Sequence, residues 1–458
     1  MKILRRILAA IVLVLLAALG YLWLKPPALL RVGANYAAKI VCSNVFLADR
    51  DPNEVVILDV QAPGVWILHY IRVRVDREHG VVHAGFLGFI GGGLAVARPG
   101  KGCTVLPDGK LNFTAIEPAR RAPQPTPASS ASESGLWPDG AAVQTNPALD
   151  RLLANDALAG PGARALVVVD HGRIVAERYG KGFDPTTPLL GWSMTKTVTA
   201  GIVGLLVKDG KLKLAQANLW PASDGRERIR IADLLAMSSG LYFNENQGLV
   251  SDLTTMLYLE PDMAGFARAQ PMINRPGEVW SYSSGTALIL SRIVQDALGL
   301  SAPAYIDERL FKPLGITTAT MEQDESGTLV GSSYIYASAR DWARYAQFLL
   351  QDGVWHGQAL LPVGYVSMMA TPAKASGGEY GQGLVWLWGS DAKTAGENPD
   401  TEFNIPPDTF YMMGHDGQSI AIIRSRQLVV VRMGLTPVAD HYSPQPLLKA
   451  VLEAQAQR

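Results

Sequence analysis

A serine and a lysine, Ser193 and Lys196, stand three positions apart at the head of the apolar run GWSMTKTVTAGIVGLLV. Residues three apart share one face of a helix, so these side chains can meet. Free N–H groups and the dipole at a helix N-terminus favour negative charge developing on Ser193. Burial favours a neutral amine, so Lys196 could accept the serine proton. The spacing therefore predicts a nucleophile beside its base.

The same stretch has a structural interpretation without chemistry. Ser193 could simply cap the helix, and the long side chain of Lys196 could reach solvent. From this stretch alone, both interpretations remain open.

A second polar turn, Tyr282-Ser283-Ser284, precedes the apolar run GTALIL. A tyrosine held near a lysine could share acid–base work. The alternative is an amphipathic tyrosine that packs at a helix start, which is the commoner case.

A third stretch, YMMGHDGQSIAII, places His415, Asp416 and Gly417 between two apolar segments. Glycine in a strand often marks a close backbone approach to a ligand. A backbone N–H here could be a second oxyanion donor beside Ser193. An ordinary hairpin turn is the alternative.

Together and in this order, the three stretches resemble the serine hydrolases of the β-lactamase and penicillin-binding protein family. Their pattern is S-x-x-K, then Y-x-N or Y-x-S, then K-T-G or H-x-G. The resemblance covers about residues 150 to 455 and is strongest to class C β-lactamases and their relatives, the family VIII esterases and 6-aminohexanoate-dimer hydrolases. It implies that Ser193 is the nucleophile, with Lys196 and Tyr282 sharing proton transfer. It also implies that the oxyanion and the substrate are bound by Gln418, His415, Gly417 and Ser284.

Two departures from the β-lactamase pattern concern the substrate. The third motif carries His415 instead of lysine, and the second carries Ser284 instead of asparagine. Both changes recur in the esterase and amide-hydrolase relatives, so the resemblance favours an ester or a linear amide as substrate. A D,D-peptidase acting on peptidoglycan stem peptides, a β-lactamase and a non-catalytic envelope binding protein are the alternatives.

Composition and motifs exclude other functions. Lys and Arg number 41, as do Asp and Glu, so there is no basic excess for nucleic acid. The seven histidines form no H-E-x-x-H or other close ligand spacing. The G-x-S-x-G elbow of α/β-hydrolases is also missing. We therefore expect no cofactor and no metal.

Hydrophobic periodicity predicts the elements that position these residues. ARALVVVDHGRIVAERYG is a hairpin with glycine in its turn, and helices are expected over 193–208, 231–237, 286–298 and from Ser338. SIAIIRSRQLVVVRMG predicts two further strands, and a closing helix begins near Gln445. Strands at both ends with helices between them predict an α+β domain whose first and last strands share a sheet. This agrees with the β-lactamase/transpeptidase-like fold that the resemblance implies, an antiparallel sheet flanked by helices plus a helical region.

Four segments make up the predicted organisation. Residues 1–25 form a signal anchor, 26–117 a small β-rich region, 118–147 a Pro/Ser/Ala-rich linker, and 148–458 the hydrolase domain. EVVILDV, WILHYIRVRVD and LAVARPGKGCTVL are the expected strands of the second segment.

The N-terminus predicts attachment to a membrane. Lys2, Arg5 and Arg6 precede an uncharged stretch from Ile7 to Leu24, long enough as a helix to span roughly 27 Å. Its charge bias places the rest of the chain outside the cytoplasm, so the expected location is the periplasmic side of a bacterial inner membrane. Cleavage as a signal peptide is the alternative.

The chain has two cysteines, Cys42 and Cys103, and both follow the apolar segment. In an oxidising compartment an even pair suggests a disulfide. Two buried free thiols are the alternative.

Overall fold

The computed structural model describes residues 2–62, 65–111, 132–221, 223–248, 250–390, 396–437 and 440–456. The α-helices of these residues are α1 (Lys2–Leu24), α2 (Ala28–Leu47), α3 (Pro52–Val55), α4 (Pro147–Leu153), α5 (Asp156–Ala159), α6 (Met194–Lys208), α7 (Ile231–Leu235), α8 (Asp252–Leu259), α9 (Met263–Ala269), α10 (Ser284–Leu298), α11 (Ala302–Ile306), α12 (Lys312–Leu314), α13 (Ala339–Leu350), α14 (Tyr365–Met369) and α15 (Gln445–Ala456). The strands are β1 (Ile71–Asp76), β2 (Val81–Phe86), β3 (Ile90–Arg98), β4 (Gly102–Val105), β5 (Ser132–Leu136), β6 (Gly140–Ala142), β7 (Ala163–Asp170), β8 (Arg173–Tyr179), β9 (Leu189–Leu190), β10 (Thr320–Met321), β11 (Ile335–Ala337), β12 (Val354–Trp355), β13 (Gln358–Ala359), β14 (Thr409–Gly414), β15 (Gln418–Ile423) and β16 (Leu428–Gly434).

The chain divides into two compact units. The first unit comprises the described residues of Met1–Ala122, Asn244–Asp262 and Asp324–Ser326. The second unit comprises the described residues of Pro123–Phe243, Met263–Gln323 and Gly327–Arg458. Two short segments that the sequence analysis placed in the 148–458 domain therefore pack with the N-terminal region.

The first unit is an antiparallel sheet in the order β1-β2-β3-β4, with α2 packed against it. Glycine allows α2 to pack closely against β3, because a Cβ on Gly93 would lie 2.2 Å from the carbonyl oxygen of Ala34. The Cys42–Cys103 disulfide joins α2 to β4. Predicted strands LAVARPGKGCTVL form the β3–β4 hairpin, but α2 was not predicted.

Two predicted strands of the first unit are wrong in whole or in part. EVVILDV is helical, because Asp51 caps α3 by accepting from the N–H groups of Asn53 and Glu54, with Pro52 at the first helical position. WILHYIRVRVD begins with a 3₁₀ turn over Trp66–Tyr70 and becomes extended only in β1.

Helix α8 belongs to the first unit through specific contacts with α2. The Asn35 side-chain amide donates to the carbonyl of Tyr258 at 2.8 Å and accepts from the N–H of Leu94 at 3.2 Å. The rings of Tyr36 and Tyr258 meet edge to face with centroids 5.7 Å apart. A residue buried in the first unit therefore links α2, β3 and α8.

One helix of the described residues, α1, is long and apolar enough to cross a membrane. None of its described residues is buried. Length and composition alone support this assignment, and a signal sequence has the same properties.

The second unit is built on a five-stranded antiparallel sheet in the order β14-β15-β16-β7-β8. Its first and last strands in sequence meet here, because β16 pairs with β7, as the sequence analysis predicted. The predicted hairpin is β7–β8, and the predicted helices correspond to α6, α7, α10, α13 and α15. On one face, α4 and α15 pack against apolar side chains of the sheet. The α+β, β-lactamase/transpeptidase-like fold is confirmed.

Residues 118–131 of the predicted linker lie outside the described residues. Residues 132–142 contain a short parallel pair, β5 with β6, and α4 begins at Pro147, one residue before the predicted domain start. Its N-cap is Asn146, whose side chain accepts from the N–H of Ala148.

Candidate active site

Ser193 lies at the turn between β9 and α6. Gly191 donates to the carbonyl of Ile335 at 2.9 Å, and a Cβ on Gly191 would lie 2.2 Å from the Trp342 ring. Trp192 follows with φ of 46°, a left-handed conformation that a bulky residue rarely adopts. This strained turn directs the chain into α6, and strain of that kind is typical of functional sites.

The Ser193 side chain does not cap its helix. Its hydroxyl makes no capping bond, and Lys196 Nζ donates to Ser193 Oγ at 2.9 Å. The N–H groups of Met194 and Thr195 turn back to the carbonyls of Gly191 and Trp192. The capping interpretation of Ser193 is therefore wrong.

Lys196 is held by three oxygens. Besides Ser193 Oγ, its Nζ donates to Ser284 Oγ and to the carbonyl of Ser332, each at 3.0 Å. The residue is 1% exposed, so the interpretation in which Lys196 reaches solvent is also wrong. Three fixed acceptors aim the amine at the serine hydroxyl.

Ser332 contributes a backbone carbonyl, which no side-chain pattern could reveal. Threonines of α6 fix its segment: Thr195 Oγ1 accepts from the N–H of Ile335 at 3.1 Å, and Thr199 Oγ1 donates to the carbonyl of Gly331 at 2.8 Å. A Cβ on Gly331 would lie 2.5 Å from Thr199 Oγ1 of α6. Glycine at this position lets the segment lie directly against α6.

The second motif meets Lys196 through α10. Ser283 caps α10 by accepting a hydrogen bond from the N–H of Thr286 at 3.0 Å. The next residue, the buried Ser284, therefore lies in the first turn of α10 and contacts Lys196. The Tyr282 ring lies 4.8 Å from Lys196 Nζ. This distance is within the range of contacts between an amine and an aromatic face, so the Tyr282 ring packs directly against the Lys196 amine.

Tyr282 is part of an aromatic cluster with Trp280, Tyr380 and Trp386. Its ring centroid lies 5.9 Å from that of Tyr380 and 5.2 Å from that of Trp386. Trp386 also exchanges two backbone hydrogen bonds with Tyr411 of β14. The cluster therefore joins the Tyr282 side of the site to the edge of the sheet.

Strand β14 approaches Ser193 with its last residues. A Cβ on Gly414 would lie 2.3 Å from the carbonyl oxygen of Gly191, two residues before the serine. The His415 ring lies edge-on to Trp192 with centroids 5.6 Å apart, and its Nε2 lies 3.2 Å from Asp416 Oδ1. The third motif thus lies beside the turn that carries Ser193.

The hydrogen-bond ladder shows which backbone N–H of this motif faces outward. Tyr411 directs both backbone groups away from β15, toward Trp386. Because these directions alternate along a strand, Gly414 faces β15 and forms a hydrogen-bonded pair with Gln418. In the trans peptide that joins Gly414 to His415, the N–H of His415 points the opposite way, out of the sheet edge.

This geometry differs from the prediction for Gln418. Its N–H faces Gly414 within the ladder, and the N–H of His415 takes the outward position. The Gln418 side chain is buried, donates to the carbonyls of His415 and Gly434, and accepts from the N–H of Gly434 at 2.8 Å. The Gln418 side chain therefore stabilises the turn by linking His415 to Gly434 of β16.

Arg432 of β16 is a further residue that the sequence analysis missed. Its Nη1 donates to the carbonyl of Gly417 at 2.9 Å, and burial lowers the pKa of the guanidinium. The run LVVVRMG gave a signal, a single arginine inside an apolar strand. Such a charge on an interior strand needs partners, which a strand prediction does not identify.

Comparison with known proteins places the chain in a family. The beta-lactamase family profile matches residues 151–439. A candidate penicillin-binding protein, PbpX of Bacillus subtilis strain 168, is 25% identical over 261 residues, which cover 49% of this chain and 62% of PbpX. The match thus spans less than two thirds of that relative.

Solved structures share the fold. A candidate 6-aminohexanoate-dimer hydrolase from Bacillus anthracis superposes with a TM-score of 0.54 at 20% identity, covering 68% of this chain and 81% of that one. A candidate beta-lactamase from Bacteroides dorei DSM 17855 gives a TM-score of 0.53 at 18% identity, covering 68% and 98%. At these identities the likeness concerns the fold alone.

Proposed function

Because this chain belongs to the beta-lactamase family of serine hydrolases, we propose that it cleaves an ester or a linear amide through an acyl-enzyme on Ser193. The observation that carries the proposal is the contact between Lys196 Nζ and Ser193 Oγ, 2.9 Å long. It joins a buried amine to a hydroxyl at the first turn of a helix. A nucleophile hydrogen-bonded to its base, with the base oriented by further groups, is the arrangement that activates a serine.

The proposed reaction has two halves. Ser193 Oγ bonds to the substrate carbonyl carbon while its proton passes to the Lys196–Tyr282 pair, which acts with Lys196 in the neutral form. The same pair protonates the leaving alcohol or amine as its bond to the carbonyl breaks. Water then attacks the acyl-enzyme, gives up a proton to the pair and releases the acid, while Ser193 regains its proton.

Charge on the tetrahedral oxygen requires two donors. The backbone N–H of Ser193 at the start of α6 is one, and the outward N–H of His415 at the end of β14 is the other. The approach of Gly414 to Gly191 supports this pairing, because it brings the two segments together. The His415 side chain, beside Trp192, is proposed to orient the substrate or assist the leaving group.

The second and third motifs support an ester or amide substrate rather than a β-lactam. Ser284 Oγ accepts a hydrogen bond from Lys196, and the third motif carries His415 at the position where β-lactamases carry lysine. A candidate 6-aminohexanoate-dimer hydrolase has this fold, so the fold is compatible with the proposed class of substrate.

A second candidate is a D,D-peptidase acting on peptidoglycan stem peptides. The relationship to a candidate penicillin-binding protein and the apolar helix α1 favour it. Stable labelling of Ser193 by penicillin would identify this activity, whereas an esterase or amidase would remain unlabelled or recover quickly.

We also propose that the protein is anchored in the cell envelope by α1, with both units outside the cytoplasm. The Cys42–Cys103 disulfide supports this location, because such bonds persist in oxidising compartments. Protease accessibility in spheroplasts would test it: cleavage of the second unit without lysis is expected, and protection would contradict the topology.

Intact-protein mass spectrometry of the full chain in detergent, mixed with a p-nitrophenyl ester, tests the function. We expect a burst of nitrophenol and a transient acyl adduct on the wild type, and neither on Ser193→Ala. Ser43→Ala is the matched control, because Ser43 also accepts a hydrogen bond from a buried lysine. An adduct that survives Ser193→Ala would overturn the assignment. No adduct with esters, amides or an active-site phosphonate would indicate a binding protein.

A further inference from the structure

Arg432 is completely buried, and its hydrogen bonds go to neutral oxygens. Its Nε donates to the carbonyl of Ala159 at 3.2 Å, and its Nη2 donates to the carbonyl of Pro161 at 2.9 Å and to Thr436 Oγ1 at 2.6 Å. The Tyr442 ring covers the guanidinium at 4.1 Å. Burying a charge is costly even when its donors are satisfied. The fold therefore maintains this cation against a penalty.

The remaining donor, Nη1, points at the third motif. It contacts the carbonyl of Gly417 at 2.9 Å. Two glycines make room for it. A Cβ on Gly417 would lie 2.7 Å from Arg432 Nη1, and a Cβ on Gly434 would lie 2.5 Å from the same atom. The left-handed φ of Gly417, 80°, also suits glycine. The two glycines and the left-handed backbone of Gly417 thus leave the space that the guanidinium occupies.

From Gly417, hydrogen-bonded peptide groups lead to the edge of the sheet. The peptide whose carbonyl Arg432 holds carries the N–H of Gln418 on its opposite side. That N–H faces the carbonyl of Gly414 in the β14–β15 pair. The Gly414 carbonyl belongs to the peptide that carries the outward N–H of His415. A cation and two peptide groups therefore form one chain that ends at His415.

We propose that Arg432 is a positioning residue for the oxyanion site, acting through the Gly417–Gln418 and Gly414–His415 peptides on the His415 N–H. Hydrogen bonds in a chain polarise one another, so a cation at one end makes the N–H at the other end a stronger donor. The guanidinium also fixes the orientation of both peptides before the substrate arrives, which preorganised electrostatic catalysis requires. The inference rests on the proposed function, because it assigns the oxyanion site to that reaction.

Kinetics of the full-length Arg432→Ala variant test the catalytic effect. Loss of a direct oxyanion donor costs about 10²–10³ in kcat, and we expect an indirect effect of roughly tenfold to a hundredfold. Because charge develops in the transition state, kcat should fall while KM stays nearly constant. Guanidinium ion added to this variant should restore part of kcat.

Arg344→Ala is the matched control. Arg344 is also largely buried and donates to a backbone carbonyl, that of Pro138, but it pairs with Asp341 on α13. Its loss should lower the unfolding midpoint and leave kcat unchanged. If Arg432→Ala does not fold, Arg432→Met, which fills the site without donors, replaces it. Wild-type kcat in either folded Arg432 variant would overturn the proposal.

A spectroscopic measurement separates this inference from the proposed function. Selective ¹⁵N-histidine labelling gives backbone amide signals for the chain's seven histidines, and a His415→Gln variant assigns one of them. Loss of Arg432 should move the His415 amide proton upfield, with or without turnover. An unmoved signal in a folded variant would overturn the relay. A moved signal in a protein that hydrolyses nothing would overturn the proposed function alone.

Discussion

Each of the two units contains a buried lysine bonded to a serine hydroxyl, and the two contacts differ in what surrounds them. In the first unit, Lys39 Nζ donates to Ser43 Oγ at 2.8 Å within α2. In the second unit, Lys196 Nζ donates to Ser193 Oγ at 2.9 Å at the start of α6. The two N–O distances and the burial of the two lysines are nearly the same, so neither quantity identifies a nucleophile.

Position along the helix separates the two pairs. Ser43 lies inside α2, where its backbone N–H belongs to the helix, and it is fully buried. Ser193 lies before the first turn of α6, partly exposed, with the end of β14 alongside. Of these two serines only Ser193 is exposed to solvent, which is why we propose that a substrate reaches it and that N–H groups there receive the oxyanion.

The largest expected difference comes from removing the two lysines. Lys196→Ala should lower kcat/KM by about a hundredfold to ten-thousandfold, because it removes the partner that takes the serine proton. Lys39→Met should leave ester hydrolysis unchanged. Steady-state kinetics on both variants measure the contrast, and near-wild-type activity of Lys196→Ala would refute the mechanism.

Tyr282→Phe tests the second member of the catalytic pair. If the hydroxyl shares proton transfer, kcat should fall by about 10²–10⁴ although the ring still covers Lys196. Tyr36→Phe in the first unit, where the ring packs edge-on to Tyr258, is the control and should keep full activity. A pH–rate profile of Tyr282→Phe that matches the wild type in height and shape would limit the tyrosine to its cation contact.

The disulfide sharpens the same comparison in terms of stability. Cys42→Ala with Cys103→Ala should reduce the free energy of unfolding of the first unit by about 2–5 kcal/mol, since the bond closes a 61-residue separation. At temperatures where the first unit of this variant remains folded, catalysis in its second unit should equal that of the wild type. Urea titration with intrinsic fluorescence measures the shift. An unchanged midpoint would show that the bond does not restrict the unfolded chain.

The smallest expected effect concerns two buried carboxylates. Asp59 in the first unit is paired with Arg50 at 2.8 Å, whereas Asp400 in the second unit receives its hydrogen bonds from the neutral groups of Tyr411, Gly389 and Gln445. Burial therefore raises the pKa of Asp400 despite these bonds.

The sign follows from that raised pKa. Stabilisation from Asp400 is complete below the ordinary carboxyl pKa and is lost as pH rises through the folded-state pKa. The stability of the wild type relative to Asp400→Asn should therefore decline from acidic to neutral pH. Urea midpoints at several pH values measure it, and a difference that grows with pH would contradict the assignment.

Strong local signals made much of the second unit predictable. Alternating apolar residues around a glycine turn gave β7 and β8, and Ser338 with Asp341 gave the start of α13. In the first unit, EVVILDV was predicted as a strand because Val and Ile dominate it and the Asp51-Pro52 start signal was not weighed, and α2 was missed as well. Packing against the sheet, rather than local preference, stabilises α2.

For the site, the sequence by itself determined which side chains are candidates: Ser193, Lys196 and Tyr282 are indicated by three motifs in order and by the family resemblance that these motifs carry. It could not determine which backbone group faces the substrate, because N–H direction follows from strand pairing. Only the tertiary structure decided that the N–H of Gln418 faces β14 within the sheet and that the N–H of His415 faces out of the sheet edge. It also decided that Ser332 supplies a backbone carbonyl to Lys196. It also placed Arg432 behind the motif, since contacts between residues distant in sequence arise only when the sheet closes.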